Sequence, residues 1–337
     1  MKKQKITAKA TSLFLAFLLA AGLTACQNGN TEKQNTNTEN RQEENEKDSI
    51  LAEATLTCDD ISIRDPYVLA EDGIYYLYGT DGDTAFSGEM DSFHVYASED
   101  LENWAGPYTI YENDGSFWAD SQYWAPEVYE KDGEYYFYGS MGGSTRENKG
   151  IVLFKAEDPM GPFEPVSGDT ITPEDVDAID ATLYEEDGTT YMVYSHGTEG
   201  IYTVELNDSW DAYAGEPFKL FDVSGCGWAT EAFGGMVLND GPCFYETDSG
   251  KLICLFSTMS DNGYKMGYAV SSDGTLNGEW TCSTEQIQTE TDGGHCMIFE
   301  DFDGNQVVAY HAPNENSHPV FQYISEDENG NIIFTDR

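Results

Sequence analysis

One short pattern, an acidic or serine residue with a turn glycine followed by an aromatic or aliphatic strand, occurs five times along the 337-residue chain. The copies are EDGIYYLYGT (71–80), KDGEYYFYGS (131–140), EDGTTYMVYSH (186–196), DSGKLICLFST (248–258) and FDGNQVVAYHA (302–312). A glycine turn between apolar runs is a strong signal for a β-hairpin. The turn glycines follow one another at intervals of 54 to 62 residues, so each hairpin marks one repeating unit.

Each hairpin is followed by another strand-like run, such as FHVYAS (93–98) or GIVLFKAE (150–157). A unit of three to four strands cannot bury both faces of its sheet alone, whereas radial stacking of five such sheets can. We therefore predict an all-β, five-bladed β-propeller. A β-sandwich with coincidental turn spacing is the alternative. Residues 51–57 are candidates for the strand that closes the ring, and hydrogen bonds from a terminus would serve equally.

The N-terminus carries the features of a bacterial lipoprotein signal. Residues 1–9 are basic, and residues 12–23 form an apolar run that is too short to span a bilayer. The run ends in LTAC (23–26), which resembles a lipobox and predicts cleavage after residue 25 with lipidation of Cys26. An ordinary signal peptide with an incidental cysteine is the alternative. Residues 26–52 are almost entirely polar and predict a disordered tether, which leaves 53–337 as a propeller domain outside the cytoplasm.

The charge balance restricts the partners. The chain has 62 acidic against 16 basic residues and a formal net charge of −46. Such a surface repels phosphate backbones and anionic lipids, so we expect no nucleic-acid partner and membrane contact only through the lipid anchor. We also expect a monomer.

Two cysteines flank the fourth hairpin, in CFYETDSGKLIC (243–254). If the turn pairs residue 247 with residue 250, Cys243 lies opposite Cys254 on one face of the sheet. Either a disulfide or two buried thiols would satisfy this arrangement.

The strand that precedes each turn should be the innermost strand of its blade and line the central channel. Counting back six to ten residues from each turn glycine gives one ionisable residue per blade: Asp65, Glu127, Asp180, Asp240 and His295. Several carboxylates that face one cavity are costly to bury, and they perturb one another's pKa as acid/base catalysis requires. For Asp65 and Asp240, a plain turn is the structural alternative.

At these positions the sequence resembles glycoside hydrolase family 43. The matching motifs are RDPYV (64–68), FWA (117–119) with YWAPEV (123–128), IDAT (179–182) and DGGH (292–295). The resemblance covers about residues 58–325. It implies a five-bladed propeller that hydrolyses arabinofuranosides or xylosides of plant polysaccharides with inversion of configuration.

The resemblance also implies roles for individual residues. Asp65 would be the general base that activates water, and Asp180 would orient the acid and raise its pKa. Family members usually present Glu-Gly-Pro where this chain has Asp240-Gly241-Pro242, and the shorter side chain retracts the carboxyl by roughly 1–1.5 Å. Either Asp240 is the acid in a tighter cavity, or Glu231 from the preceding loop replaces it, or hydrolase activity is weak or absent. The last alternative describes a non-catalytic, surface-tethered glycan-binding propeller.

The remaining roles concern the sugar and a metal ion. Trp124 and Glu127 would line the sugar site, and Trp118 would offer an aromatic face to a sugar ring or pack at the rim. His295 lies where the family places a channel histidine, often near a Ca²⁺ ion and its waters, so the resemblance allows a structural calcium ion there.

Overall fold

The computed structural model describes residues 51–87, 90–197 and 199–337. Within these ranges, twenty strands form five separate four-stranded antiparallel sheets, each built from consecutive strands. The five sheets pack side by side around a central channel. The expected five-bladed β-propeller is therefore confirmed, and the sandwich alternative is wrong.

The strands are numbered in chain order, four to a blade. Blade one contains β1 (Ile63–Glu71), β2 (Ile74–Asp81), β3 (Ser92–Ser98) and β4 (Ala105–Glu112). Blade two contains β5 (Ser121–Lys131), β6 (Glu134–Gly142), β7 (Gly150–Ala156) and β8 (Glu164–Pro165). Blade three contains β9 (Ala178–Glu186), β10 (Thr189–His196), β11 (Gly200–Glu205) and β12 (Phe218–Phe221).

The last two blades follow the same plan. Blade four contains β13 (Asp240–Glu246), β14 (Leu252–Ser260), β15 (Gly263–Ser271) and β16 (Trp280–Cys282). Blade five contains β17 (Gly294–Glu300), β18 (Gln306–Ala312), β19 (His318–Glu326) and β20 (Ile332–Thr335). Short 3₁₀ helices cover Cys58–Asp60, Val223–Gly225 and Phe233–Gly235.

The repeated hairpin motif forms the first two strands of each blade, as expected. In blade one, Asp72 and Gly73 connect β1 to β2 with φ angles of 49° and 82°. Positive φ at both central residues defines the turn whose twist matches that of paired strands, and Asp-Gly adopts it readily. The same turn at Asp132 and Asp187 explains why this dipeptide repeats along the chain.

The first strand of every blade lies innermost, and each inner strand contacts the inner strands of both neighbouring blades. We call the end of the channel at which these five strands begin the mouth. The apolar core lies between adjacent sheets, and its fully buried members include Leu77, Phe137, Met192, Leu255 and Val308. Burial of each such side chain contributes roughly 1.5–3 kcal/mol to folding.

Blade five obtains all four strands from the C-terminal segment, so residues 51–57 do not complete it. Instead, Leu56 forms an isolated bridge with Trp104 in blade one, and Leu51 already packs against the core. Hydrogen bonds between blades one and five close the ring. The backbone N–H of Ile63 donates to the Ser317 carbonyl at 3.1 Å, and Arg64 donates to the Asn314 carbonyl at 2.6 Å.

Cys243 and Cys254 are both free and buried. The hairpin pairs Cys243 with Leu255 and Phe244 with Cys254, one residue away from the register that a disulfide would need. Neighbouring residues of a strand point to opposite faces, so the two thiols do not meet. The disulfide of the described chain joins Cys226 and Cys282, whose Cα atoms lie 5.5 Å apart.

The predicted signal peptide, the lipidation site Cys26 and the tether up to residue 50 lie outside the described residues. In the part of the chain that is described, no helix has the length and apolar character needed to cross a membrane.

Candidate active site

Every inner strand contains a β-bulge near the mouth, and one residue of each bulge adopts a left-handed backbone conformation. These equivalent residues are Asp65, Ala125, Asp180, Gly241 and His295, with φ between 43° and 57°. A bulge redirects the side chain of its strand. Strained conformations of this kind cluster at functional sites.

Three of the bulge residues bring their side chains together across blades. The Nδ1 atom of His295 lies 3.2 Å from Oδ1 of Asp65 and 3.9 Å from Oδ2 of Asp180. The backbone N–H of Gly241 donates to the same Asp180 oxygen at 3.0 Å. Residues from blades one, three, four and five thus meet at one point in the channel.

Asp240 joins this cluster from the position just before its bulge. Its Oδ2 accepts a hydrogen bond from the Tyr264 hydroxyl at 3.1 Å. The negative charge of Asp180 reaches Asp240 strongly enough to influence its pKa. We refer to Asp65, Asp180, Asp240 and His295 as the carboxylate cluster.

Asp65 and His295 behave as an ion pair. Burial disfavours the charge of Asp65, but the charge of His295 and its hydrogen bond to Asp65 outweigh burial and hold the Asp65 pKa well below its usual value. Burial likewise disfavours the imidazolium form of His295. The charges of Asp65 and Asp180 prevail and raise the His295 pKa to about 10.

The other two carboxyls shift in the opposite direction. Burial raises the pKa of Asp180, and the charge of Asp65 adds to this effect. Burial and the neighbouring charge of Asp180 raise the pKa of Asp240 to about 7. The site therefore offers one firmly ionised carboxylate and one carboxylic acid that can hold its proton near neutral pH.

Glu127 lies deeper in the channel than the cluster, two residues past its bulge. Its carboxylate accepts a hydrogen bond from the Tyr129 hydroxyl, which also lies 3.3 Å from Oγ1 of Thr182. Burial raises the Glu127 pKa to about 7. The five ionisable residues found by counting back from the turn glycines therefore do not all occupy equivalent positions, since Glu127 follows its bulge residue by two and Asp240 precedes its bulge residue by one.

The tryptophans occupy different surroundings. The Trp124 indole donates to the Ala85 carbonyl at 2.8 Å, and its ring contacts Phe86, which is 78% exposed. The half-buried Trp124 and the exposed Phe86 thus form an aromatic pair at the mouth beside blade one. Trp118 instead lies beneath the guanidinium of Arg146, 3.7 Å from the ring centroid, so the cation covers one face of the ring.

Glu231 lies exposed in the loop before β13. That loop is tied down by the disulfide at Cys226 and by a bridge between Ala229 and Ser260. Among the described residues, no hydrogen bond or ion pair joins Glu231 to Asp65, Asp180, Asp240 or His295.

The donor set does not suit direct metal coordination. No group of three or more His, Cys, Asp or Glu side chains in residues 51–87, 90–197 and 199–337 is placed to hold a metal ion. An imidazolium has both ring nitrogens protonated and offers no lone pair to a cation. The positive charge of His295 offsets part of the negative charge that would attract one.

Sequence reasoning missed three residues that hold the cluster. The Thr80 hydroxyl donates to Oδ2 of Asp65 at 2.6 Å, Tyr264 donates to Asp240, and His311 accepts from the Asp65 backbone. The signal for two of them was in the repeated motif itself. Thr80 and His311 both lie seven residues after the turn glycine of their copy, a position that holds a serine in the other three blades.

Comparison with known proteins agrees with this geometry. The family model for glycosyl hydrolases family 43 matches residues 60–327. The crystal structure of an endo-arabinase from Bacteroides thetaiotaomicron superposes with a TM-score of 0.74 and 30% identity, covering 81% of this chain and 98% of that one. A thermostable family-43 glycoside hydrolase, with a TM-score of 0.70 and 22% identity over 82% and 93% of the two chains, shares the fold.

Named relatives are more distant. A β-D-galactofuranosidase, xynD, from Aspergillus niger is 23% identical over 265 residues, which is 73% of each chain. The extracellular endo-α-(1→5)-L-arabinanase 2 of Bacillus subtilis is 27% identical over 52% of this chain, and the match spans 40% of that protein. Since the family model covers most of the chain, the protein belongs to glycosyl hydrolases family 43, whose members cleave glycosidic bonds.

Proposed function

We propose that the domain hydrolyses arabinofuranosyl or xylosyl linkages of plant cell-wall polysaccharides with inversion at the anomeric carbon. The observation that carries this proposal is the meeting of acidic side chains from different blades: Asp65 and Asp180 flank His295, and Asp180 holds the N–H of the residue after Asp240. Arabinan is the first substrate to try, since a similar structure is named an endo-arabinase and a relative an endo-arabinanase.

Asp65 is the proposed general base. Its carboxylate stays ionised over the working pH range because His295 and Thr80 stabilise the negative charge. It takes a proton from a water molecule while the water oxygen attacks the anomeric carbon. The left-handed backbone at Asp65 directs the carboxylate into the channel, where it contacts His295.

Asp240 is the proposed general acid, and Asp180 prepares it. The Asp180 charge raises the Asp240 pKa, so the acid keeps its proton until the leaving oxygen needs it. Asp180 also accepts the N–H of Gly241, the residue that follows Asp240. The same side chain therefore tunes the acid and fixes the backbone that carries it. Glu231 remains the alternative acid.

Inversion is proposed from the family resemblance, and it requires room for a water molecule between the two carboxyls. An inverting pair of carboxyls is separated by about 6.5–9.5 Å to leave room for water, whereas a retaining pair is separated by about 5–5.5 Å. Asp65 and Asp240 come from non-adjacent blades, with His295 of blade five between them in the ring order.

A substrate panel tests the function. The protein is incubated with arabinan, arabinoxylan, and aryl arabinofuranosides and xylosides, and released reducing sugar is measured. Sugar release from at least one supports the proposal. Binding of a glycan to the protein without release of reducing sugar would instead support a non-catalytic glycan-binding propeller, the alternative that the shorter Asp240 side chain raises.

The pH dependence of kcat/KM should be asymmetric. Asp65, with its lowered pKa, stays ionised far into the acid range, so activity persists there. Asp240, with a pKa raised to about 7, works only while protonated, so kcat/KM should fall about tenfold per pH unit above pH 7. Because Asp180 and Asp240 interact, the measured midpoint belongs to the pair. A profile that stays flat to pH 9 would contradict the acid assignment.

A calcium ion near His295, held through water molecules, is proposed from the family resemblance. Chelation of such an ion should lower Tm, and added Ca²⁺ should restore it, because a ligand that binds only the folded state stabilises it. An unchanged Tm in excess chelator would contradict a tightly held structural ion at this place.

We also propose that the domain is exported and anchored through Cys26. Relatives described as extracellular support export. Labelled fatty acid should be incorporated into the parent protein, and a Cys26→Ala variant should appear unlabelled in the medium. Equal labelling of both proteins would rule out Cys26 as the anchor.

A further inference from the structure

A polar side chain lies near the end of the second strand of every blade, seven residues after the turn glycine, and in most blades it links that blade to the next. The Thr80 hydroxyl accepts the backbone N–H of Ala125 at 2.8 Å, and the Ser140 hydroxyl accepts that of Asp180 at 2.8 Å. The Ser257 hydroxyl accepts the N–H of His295 at 2.7 Å. In each case the donor is the left-handed bulge residue of the following blade.

Blade three departs from this pattern. Its serine, Ser195, donates to the Asn239 carbonyl, and the N–H of bulge residue Gly241 bonds to Asp180 instead. The bulge N–H is thus held by a hydroxyl in blades two, three and five and by a carboxylate of the cluster in blade four.

In blade five, the equivalent acceptor is an imidazole. The N–H of Asp65 donates to Nδ1 of His311 at 3.2 Å, and Oδ1 of Asp65 lies 3.5 Å from the same nitrogen. The His311 ring is completely buried. It stacks on the Tyr264 ring with centroids 5.7 Å apart and an interplanar angle of 14°, and Tyr264 in turn holds Asp240.

One ring therefore contacts the supports of both proposed catalytic carboxyls. A serine at this position would also accept the Asp65 N–H, as in blades two and four, but it would offer no face to Tyr264. Only blade five has a histidine at this position, and blade five is the blade that lies between those of Asp65 and Asp240 in the ring.

The hydrogen bond also fixes the tautomer. Nδ1 can accept from Asp65 only with its lone pair free, so the ring proton resides on Nε2. Burial lowers the pKa of His311 to about 3. The charge of Asp65 opposes this shift, and the charges of Arg64 and His295 add to it. The ring remains a neutral acceptor while His295, in the same cluster, carries a positive charge.

We propose that His311 is a positioning residue that fixes the Asp65 backbone and the Tyr264–Asp240 pair relative to each other. It acts on the reaction only through these neighbours, and this role rests on the proposed hydrolase function. A misplacement of about 1 Å can cost a hundredfold in rate. Substitution of His311 should change kcat and leave KM nearly unchanged, because the buried ring positions the proposed catalytic carboxyls and does not itself contact the substrate.

Three variants separate positioning from general stability. His311→Asn keeps an acceptor at the δ position, His311→Leu removes it at similar size, and Val308→Ala weakens the core on the same strand β18 away from the cluster. We expect His311→Leu to lower kcat about ten- to a hundredfold with little change in KM. His311→Asn should recover most of this loss, and Val308→Ala should lower Tm while leaving kcat unchanged. Equal rates for the Asn and Leu variants would overturn the proposal.

A second measurement does not require activity. The chain has five histidines, and ¹⁵N NMR of the histidine-labelled full-length protein reports which ring nitrogen carries the proton. We expect His311 to show an unprotonated Nδ1 and a protonated Nε2 between pH 5 and 8. A proton on Nδ1 would overturn the assignment even if the protein hydrolysed nothing, whereas an inactive protein with the expected tautomer would refute only the hydrolase function.

Discussion

Replacing Asp65 by Asn should lower kcat for glycoside hydrolysis by about 10²–10⁴-fold, the range that a general base contributes. The amide keeps the shape of the side chain, and Asn tolerates the left-handed backbone at this position. It cannot accept a proton from water, so attack on the anomeric carbon loses its base. Initial rates on an arabino-oligosaccharide, measured well below Tm, provide the test.

Asp132→Asn is the matched control for this variant. Asp132 has the same backbone conformation, with a φ of 56°, but lies in a hairpin turn at the opposite end of its inner strand. We expect parental kcat for this control. Circular dichroism should show that both variants remain folded. If Asp65→Asn retained more than half of the parental rate, Asp65 would not be the base.

The Asp240→Asn variant should show a loss that depends on the leaving group. With an unactivated oligosaccharide we expect kcat to fall about 10²–10⁴-fold, because the departing oxygen needs a proton. With an aryl glycoside whose phenolate leaves readily, the loss should be much smaller. Rates on the two substrates, compared within one variant, separate loss of the acid from loss of folding.

Glu231→Ala is the paired variant for this experiment. Glu231 is exposed and outside the carboxylate cluster, so we expect rates on both substrates to stay at the parental level. The opposite outcome, with Glu231→Ala impaired and Asp240→Asn active, would transfer the acid role to Glu231. Parental rates in both variants would remove both assignments.

Much of the fold was predictable because the repeat is local. Asp-Gly turns define the hairpins by their backbone conformation, and counting back from the turn glycine led to the innermost strands. The bulge residue lies eight positions before the glycine in the first three blades, at Asp65, Ala125 and Asp180. This constant offset allowed Asp65 and Asp180 to be paired from the sequence.

The offset changes where the hairpin loop is longer. In blades four and five the bulge residue lies nine positions before the turn glycine, so Gly241, and not Asp240, is equivalent to Asp65. The backbone conformation at the bulge decides which side chain enters the channel. Residue type does not predict that conformation, since Ala125 adopts it in blade two as Asp65 does in blade one. The Cys226–Cys282 disulfide could not be predicted from a local pattern either, since 56 residues separate the two cysteines.

Contacts between blades were the least predictable part of the site. His311 and Asp65 are 246 residues apart in sequence and meet only because the ring closes between blades five and one. The position of His311, seven residues after its turn glycine as Thr80 is after Gly73, becomes informative once the blades are superposed on one another.

The anomeric configuration of the first product tests the central claim most directly. The protein is mixed with an α-1,5-linked arabino-oligosaccharide in an NMR tube, and the anomeric proton signals are followed before mutarotation. Two carboxyls that act across a water molecule predict that the β-anomer appears first. Initial release of the α-anomer would contradict the assignment of Asp65 as a base acting on water.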